Sequence, residues 1–348
     1  MNYVQRRLVS SVAARLPSVS PTTVGTFPPA ESLKTPGQSF SKDFDPANWA
    51  SLQPAPSTAL VAFAHRVGLA AIFHSTDSIR QACTHPSFVA LFRQHYPSKP
   101  EPKTNAQSAA IGNSLLGLFA TEYLHAKYPY LPTRVMKAAV SAHVGPLTCD
   151  SVAREMGAAP LLRWHRNVNE EGMPQVLQSD AMASIPRSLT GLIYQERSLA
   201  DARTFAHKLF LTRTVDLRPL LKFSNPKKAL LEMVRKYNRE DPKSRLLKET
   251  GRFSNSPVYV VGIFSGVDKL GEGFGASLRM AEYRAAEDAL LRVYLTQTPA
   301  DQIQLPSTTF PAVQGNIFTP GPEGAYTAPE LVNAEVLYES SGKTVRPY

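Results

Sequence analysis

The apolar pattern of the chain changes period twice, and those changes divide it. From Thr58 onward, Leu60, Ala62, Phe63, Val67 and Leu69 recur at spacings that place them on one helical face. The run Tyr96 to Pro102 holds three prolines and predicts a loop. Ser108 to Lys127 is a strongly apolar helix carrying Ile111, Leu115, Leu116, Leu118, Phe119 and Leu124. Further helices are predicted over Thr133–Val144, Ser151–Met156, Ala181–Gln195 and Leu199–Thr214, and almost nothing between 58 and 215 alternates as a strand does. After Phe223 the pattern differs. Asn225 and Pro226 are a cap and first-turn pair for a helix to Tyr237. Arg245–Arg252 and Val258–Phe264 predict strands, Gly271–Gly275 a glycine-rich turn, and Ser277–Leu295 an alanine-rich helix. The expectation is an all-α domain over residues 56–218, a smaller α+β domain (α-β-β-β-α) over 222–295, and Pro-, Ser- and Thr-rich extended tails at 1–55 and 296–348.

Composition narrows the partners. A formal charge of +10 over 348 residues favours a polyanion such as nucleic acid. Cys83 and Cys149 are the two cysteines; they offer no metal-ligand spacing and suit a reducing compartment. No apolar run approaches the roughly 18 residues that span a bilayer, so no membrane insertion is expected. The first thirty residues carry Arg6, Arg7 and Arg15 and many hydroxyls, and the first acid is Glu31. That is the composition of a mitochondrial presequence, and the matrix is the expected location.

Three segments of the helical region resemble ribonuclease III in the family's order. Gln81-Ala-Cys-Thr-His-Pro-Ser-Phe88 is similar to its early Thr-His motif. Asn105-Ala-Gln-Ser-Ala-Ala-Ile-Gly-Asn-Ser114, continued by Leu115 to Leu124 and Tyr128-Pro129, falls on its signature helix. Leu189-Thr-Gly-Leu-Ile-Tyr194 is similar to its last signature helix. The second region resembles a double-stranded-RNA-binding domain. Asn225 to Glu232 corresponds to that domain's first helix, Gly271 to Ser277 to its glycine segment, and Ala281-Glu282, Ala285-Ala286 and Ala289-Leu290 to its last helix. His85 is expected to be a hydrogen-bonded structural residue.

The resemblance implies two Mg²⁺-binding pairs of acids, because hydrolysis of this type needs hard cations held by carboxylates. The corresponding positions here hold Ala109, Asn113, Ser184 and Arg187. Asp180 lies one turn earlier, and Ala183 occupies its partner position. No metal site, no cofactor and no nuclease activity are therefore expected. For RNA, the expected phosphate contacts are Lys227, Lys228, Lys269, Ser277, Arg279 and Arg284, although Leu278 replaces one lysine of the family's pair and Tyr259 stands where a loop histidine should be. Ribonuclease III domains dimerise through the signature helix, which makes Ala110 and Ile111 the candidate interface and a second ribonuclease III-like chain the implied partner. Leu115 and Leu118 are expected in the domain's own core.

A degenerate nuclease domain, a degenerate RNA-binding domain, basic charge and long tails together resemble the ribonuclease III-like proteins of the mitochondrial large ribosomal subunit, in their fungal form. That implies ribosomal RNA and mitochondrial ribosomal proteins as partners, and a structural role. A free RNA-binding or assembly factor is the alternative reading, followed by an active double-stranded-RNA endonuclease.

Overall fold

A computed structural model describes residues 52–73, 75–166 and 176–309 of the protein. The presequence-like segment and most of the C-terminal tail lie outside these residues.

Helices α1 (Ser57–Val67), α2 (Thr76–Ala82), α3 (Ser87–His95), α4 (Ala106–Lys127), α5 (Thr133–Val144), α6 (Pro146–Glu155), α7 (Gln178–Glu196) and α8 (Leu199–Ala206) form the first domain. Local chemistry sets several of the boundaries. Ser75 accepts from the Asp77 amide at 3.0 Å to open α2, and Ser198 accepts from the Asp201 amide at 3.1 Å to open α8. Gly68, at φ 79°, closes α1 in the left-handed conformation that a side chain would strain. Beyond α8 the chain continues as a wider π turn over His207–Leu211 rather than as α-helix to Thr214.

Helices α4 and α7 form the centre of this domain. Asn105 meets Ser184, Ser108 meets Ser188, and Gly112 meets Gly191, so the two helices run side by side in the same direction. Pro186 sits inside α7 without ending it. Around this pair, Leu60, Phe63, Ile79, Leu116, Phe119, Met182, Ile185, Leu189 and Phe210 form one core. Leu115 packs half-buried against it, but Leu118 is 50% exposed and belongs to the outer face of α4, not to the core.

The second domain is α9 (Pro226–Lys236), strands β1 (Lys243–Thr250), β2 (Val258–Ser265) and β3 (Asp268–Gly275), and α10 (Leu278–Tyr294). The sheet is antiparallel in the order β1-β2-β3. Gly271–Gly275, expected as a turn, is the body of β3. Its glycines alternate toward α10 and let the helix lie on the strand. An added Cβ at Gly271, Gly273 or Gly275 would come within 2.6, 2.2 or 2.9 Å of α10 backbone atoms.

The two domains share a core. Leu124, Tyr128, Leu131, Val135 and Ala139 from α4, α5 and their link pack with Leu217, Leu221, Phe223, Leu230, Met233, Ala286, Leu290 and Tyr294. The chain after α10 then returns along α4. The Thr298 amide donates to the Lys127 carbonyl at 2.9 Å, Gln297 bonds to the Tyr128 hydroxyl at 3.1 Å, and Ser307 bonds through its hydroxyl to Glu122 at 2.5 Å. Arg203 holds the Ser307 carbonyl. Residues 296–309 thus strap the second domain to the first.

Candidate helix seam and RNA interface

The seam between α4 and α7 is where the sequence places the degenerate catalytic positions. Asn105, fully buried, donates to the Ala82 carbonyl at 3.0 Å and to Ser184 Oγ at 2.7 Å, tying the end of α2 to both helices. The Ser108 and Ser188 hydroxyls are 2.6 Å apart. A Cβ on Gly112 would fall 1.7 Å from the Arg187 carbonyl oxygen, and one on Gly191 would fall 2.1 Å from that of Ser108. Side chains at the crossing are therefore limited to hydrogen atoms and hydroxyls.

Ala109 is half-buried and Asn113 exposed on α4, one turn apart; Ser184 and the half-buried Arg187 lie on α7. The Ser184 hydroxyl is consumed by Asn105 and by the Ala181 carbonyl, to which it donates at 2.6 Å. Arg187 lies against Cys149, whose thiol donates to the Val144 carbonyl and is pushed up mainly by burial, with the guanidinium opposing. Asp180 is engaged at the start of α7, where it accepts from the Leu177 amide at 3.4 Å. A methyl, an amide, a committed hydroxyl and a guanidinium do not fit Mg²⁺, which takes carboxylate and water oxygens. Among the described residues no group of three or more His, Cys, Asp or Glu side chains could hold a metal ion.

The Thr84-His85-Pro86-Ser87 motif acts as a latch. Thr84 donates to the Arg80 carbonyl at 2.8 Å, His85 Nδ1 accepts from the Ser87 amide at 3.2 Å, and Ser87 Oγ accepts from the His165 amide at 3.1 Å. Burial lowers the His85 pKa, opposed by Asp180. Arg163 bridges Thr84, reaches the Leu52 carbonyl at 3.0 Å and lies 4.2 Å from the Phe88 ring centre; burial, assisted by Arg80, lowers its pKa to about 10. Ala110 is exposed and Ile111 half-buried, so both lie on the outer side of α4 with Leu118.

The second domain divides the expected RNA contacts into two sets. Ser277 caps α10 by accepting from the Met280 amide at 3.2 Å, which leaves the start of that helix with Arg279 exposed beside the apolar Leu278 and Met280. Lys228 is likewise exposed at the start of α9. Three others are engaged: Lys227 pairs with Glu282, Lys269 with Glu272, and Arg284 donates to the Phe274 carbonyl at 2.9 Å. Tyr259 is half-buried within β2, opposite Gly275, not in the preceding loop. That loop instead presents Phe253, wholly exposed, which the sequence reading did not single out. An apolar cleft of about 340 Å³, lined by Tyr130, Leu230, Met233, Leu270 and Val293, opens at the domain junction and shares no residue with the seam.

Comparison with known proteins finds a match for each of the two domains. Residues 106–198 match the ribonuclease III domain, and residues 221–312 match the MRPL44 dsRNA-binding domain. The chain is 40% identical over 127 residues to the large ribosomal subunit protein mL44 of Neurospora crassa; that stretch is 36% of this chain and 29% of the relative, less than a third of its length. It is 28% identical over 209 residues to ribonuclease 3 of Chlamydia trachomatis, covering 60% of this chain and 86% of that one. Among solved structures, the nuclease domain of ribonuclease III from Campylobacter jejuni aligns with TM-score 0.34 and 17% identity, over 42% of this chain and 92% of that chain.

Proposed function

We propose, from the premise that this chain joins a ribonuclease III domain to a double-stranded-RNA-binding domain of the MRPL44 type, that it is a non-catalytic component of the mitochondrial large ribosomal subunit. The α4–α7 pair carries the non-catalytic part of the reading: the four positions that the resemblance assigns to metal-binding acids hold Ala109, Asn113, Ser184 and Arg187. Two divalent ions close together need several carboxylates to offset their mutual repulsion, and Arg187 adds a positive charge instead. The likeness to mL44 of Neurospora crassa supports the ribosomal part, and the +10 charge suits a site on ribosomal RNA.

The second domain meets duplex RNA with Lys228 and Arg279 at the starts of α9 and α10, where helix N-termini favour phosphate. Lys227, Lys269, Ser277 and Arg284 hold those helices and β3 in position through the bonds described above, and contribute less to phosphate binding. The outer face of α4, with Ala110, Ile111 and Leu118, receives a second ribonuclease III-like chain. The protein works in the matrix, bound to the ribosome.

The test is to incubate the purified chain with labelled duplex RNA and Mg²⁺ or Mn²⁺. The expected result is a retarded complex and intact RNA. Metal-dependent cleavage that disappears with EDTA, and persists through repurification, would revive the nuclease reading.

A further inference from the structure

The three-stranded sheet has a second face, turned away from α10. Gly271, Gly273 and Gly275 point at the helix, so their neighbours Glu272 and Phe274 point outward. Register carries the assignment across the sheet. Phe274 pairs with Val260, Glu272 with Gly262 and Lys269 with Phe264; on the other side Lys248 pairs with Val260, Arg245 with Gly262 and Lys243 with Phe264. In a regular strand Lys243 and Arg245 would share one face and Lys248 would take the other. The irregularity between Leu246 and Lys248 adds one residue and turns Lys248 to the same side. Three cations thereby stand in a row along the edge strand. All of β1 is exposed, and among the described residues none of the three closes a salt bridge, although Lys248 stands near enough to Glu272 to help lower its pKa.

Beside this row lie two aromatic rings. The Arg245 guanidinium sits 4.9 Å from the centre of Phe264, and Phe274 is 63% exposed, with Arg284 at 5.5 Å. Val258 and Leu247 extend the apolar surface. A sheet face with one open ring, Phe274, a second, half-buried ring, Phe264, stacked under Arg245, and a flanking row of cations matches the chemistry of an unpaired RNA strand. Bases stack on rings irrespective of sequence, and phosphates follow the cations. A duplex fits poorly because its base faces are already stacked on one another. The charge also argues against an apolar protein partner, which would cover Lys243 and Arg245 without supplying an anion.

We infer that the outer sheet face is a second RNA site, which takes an unpaired strand by stacking a base on Phe274 and holds its backbone with Lys243, Lys248 and Arg245, the last braced on Phe264. This rests on the reading of the chain as an RNA-binding protein, and separates its contacts into a duplex face at α9 and α10 and a single-strand face on the sheet.

The experiment measures binding of the full chain to a labelled unstructured oligoribonucleotide and to a blunt RNA duplex across a salt series. The variants are Lys243→Ala/Arg245→Ala/Lys248→Ala, Phe274→Ala, and Lys228→Ala/Arg279→Ala; all alter exposed side chains, and unchanged melting checks the fold. The triple variant is expected to weaken single-strand binding at least about tenfold and to lower its salt slope by about 2, while duplex binding holds. Phe274→Ala should weaken single-strand binding by about tenfold at any salt. Lys228→Ala/Arg279→Ala should affect the duplex alone. If the triple variant and Phe274→Ala leave single-strand binding unchanged while either RNA still binds, the sheet proposal fails and the RNA reading stands. If the wild-type chain binds neither RNA, both fail. If the triple variant spares RNA binding but releases a neighbouring protein from the assembled particle, the face is a protein contact and the inference is wrong.

Discussion

Gly112 and Gly191 have the tightest constraints in the first domain, since any Cβ at either position enters the backbone of the opposite helix. Gly112→Ala should cost at least the ~1–3 kcal/mol typical of overpacking, and should lower the melting temperature without altering the RNA-contact residues. A melt identical to wild type would mean the helices do not cross as described. Buried His143 and half-buried His85 and His207 set the pH response. Burial lowers the pKa of His85, His143 and His207 below 6.5; Arg203 adds to the effect at His207, while the bond from His143 to the Phe210 carbonyl opposes it. The unfolded chain therefore takes up protons first as pH falls below 6.5, and stability declines. Above that value the contribution is fully present. Thermal melts should be flat from pH 8 to about 7 and fall steadily below 6.5. Loss beginning only where carboxylates take up protons, with Glu155 and Glu272 held below their ordinary range by Ser151 and Lys269, would show that the histidines contribute nothing.

At the scale of elements, the helices were legible because their apolar residues recur at 3.6 and their caps are explicit: Asn225 and Ser277 cap α9 and α10. The glycine segment was not. Gly271–Gly275 looks like a turn by composition, and becomes a strand because α10 needs a surface without side chains to lie on. Leu118 also escaped the pattern, since an apolar residue on a long helix looks the same whether a core or a partner covers it. The seam that joins Asn105 to Ser184 and Ser108 to Ser188 was not legible, because those pairs lie 79 and 80 residues apart. The row of Lys243, Arg245 and Lys248 depends on a bulge, which a period-two reading places wrongly. For duplex binding, replacing Lys228 and Arg279 together should lower the salt slope by roughly 2, whereas replacing Lys227, already paired with Glu282, should lower it by much less. Equal losses at all three would contradict the division into free and engaged cations.

For the whole molecule, the shared core distinguishes this arrangement from two independently tethered domains. Phe223 is 6% exposed and stacks on the fully buried Tyr294 at 6.0 Å, within a cluster that includes Leu131 and Val135 of the first domain. Phe223→Ala should cost about 3–5 kcal/mol. Because the cluster belongs to both domains, calorimetry should show one transition for the wild type, and the loss should lower that transition as a unit. Two separated transitions in the wild type would mean that the domains do not stabilise each other. A common core and the contacts of residues 296–309 with α4 join the two domains. The most direct test is sedimentation of mitochondrial extract at high salt, with the ribosomal subunits separated by removing Mg²⁺. The protein should travel with the large subunit at one copy per particle. Recovery near the top of the gradient would contradict the ribosomal assignment and leave a free RNA-binding factor.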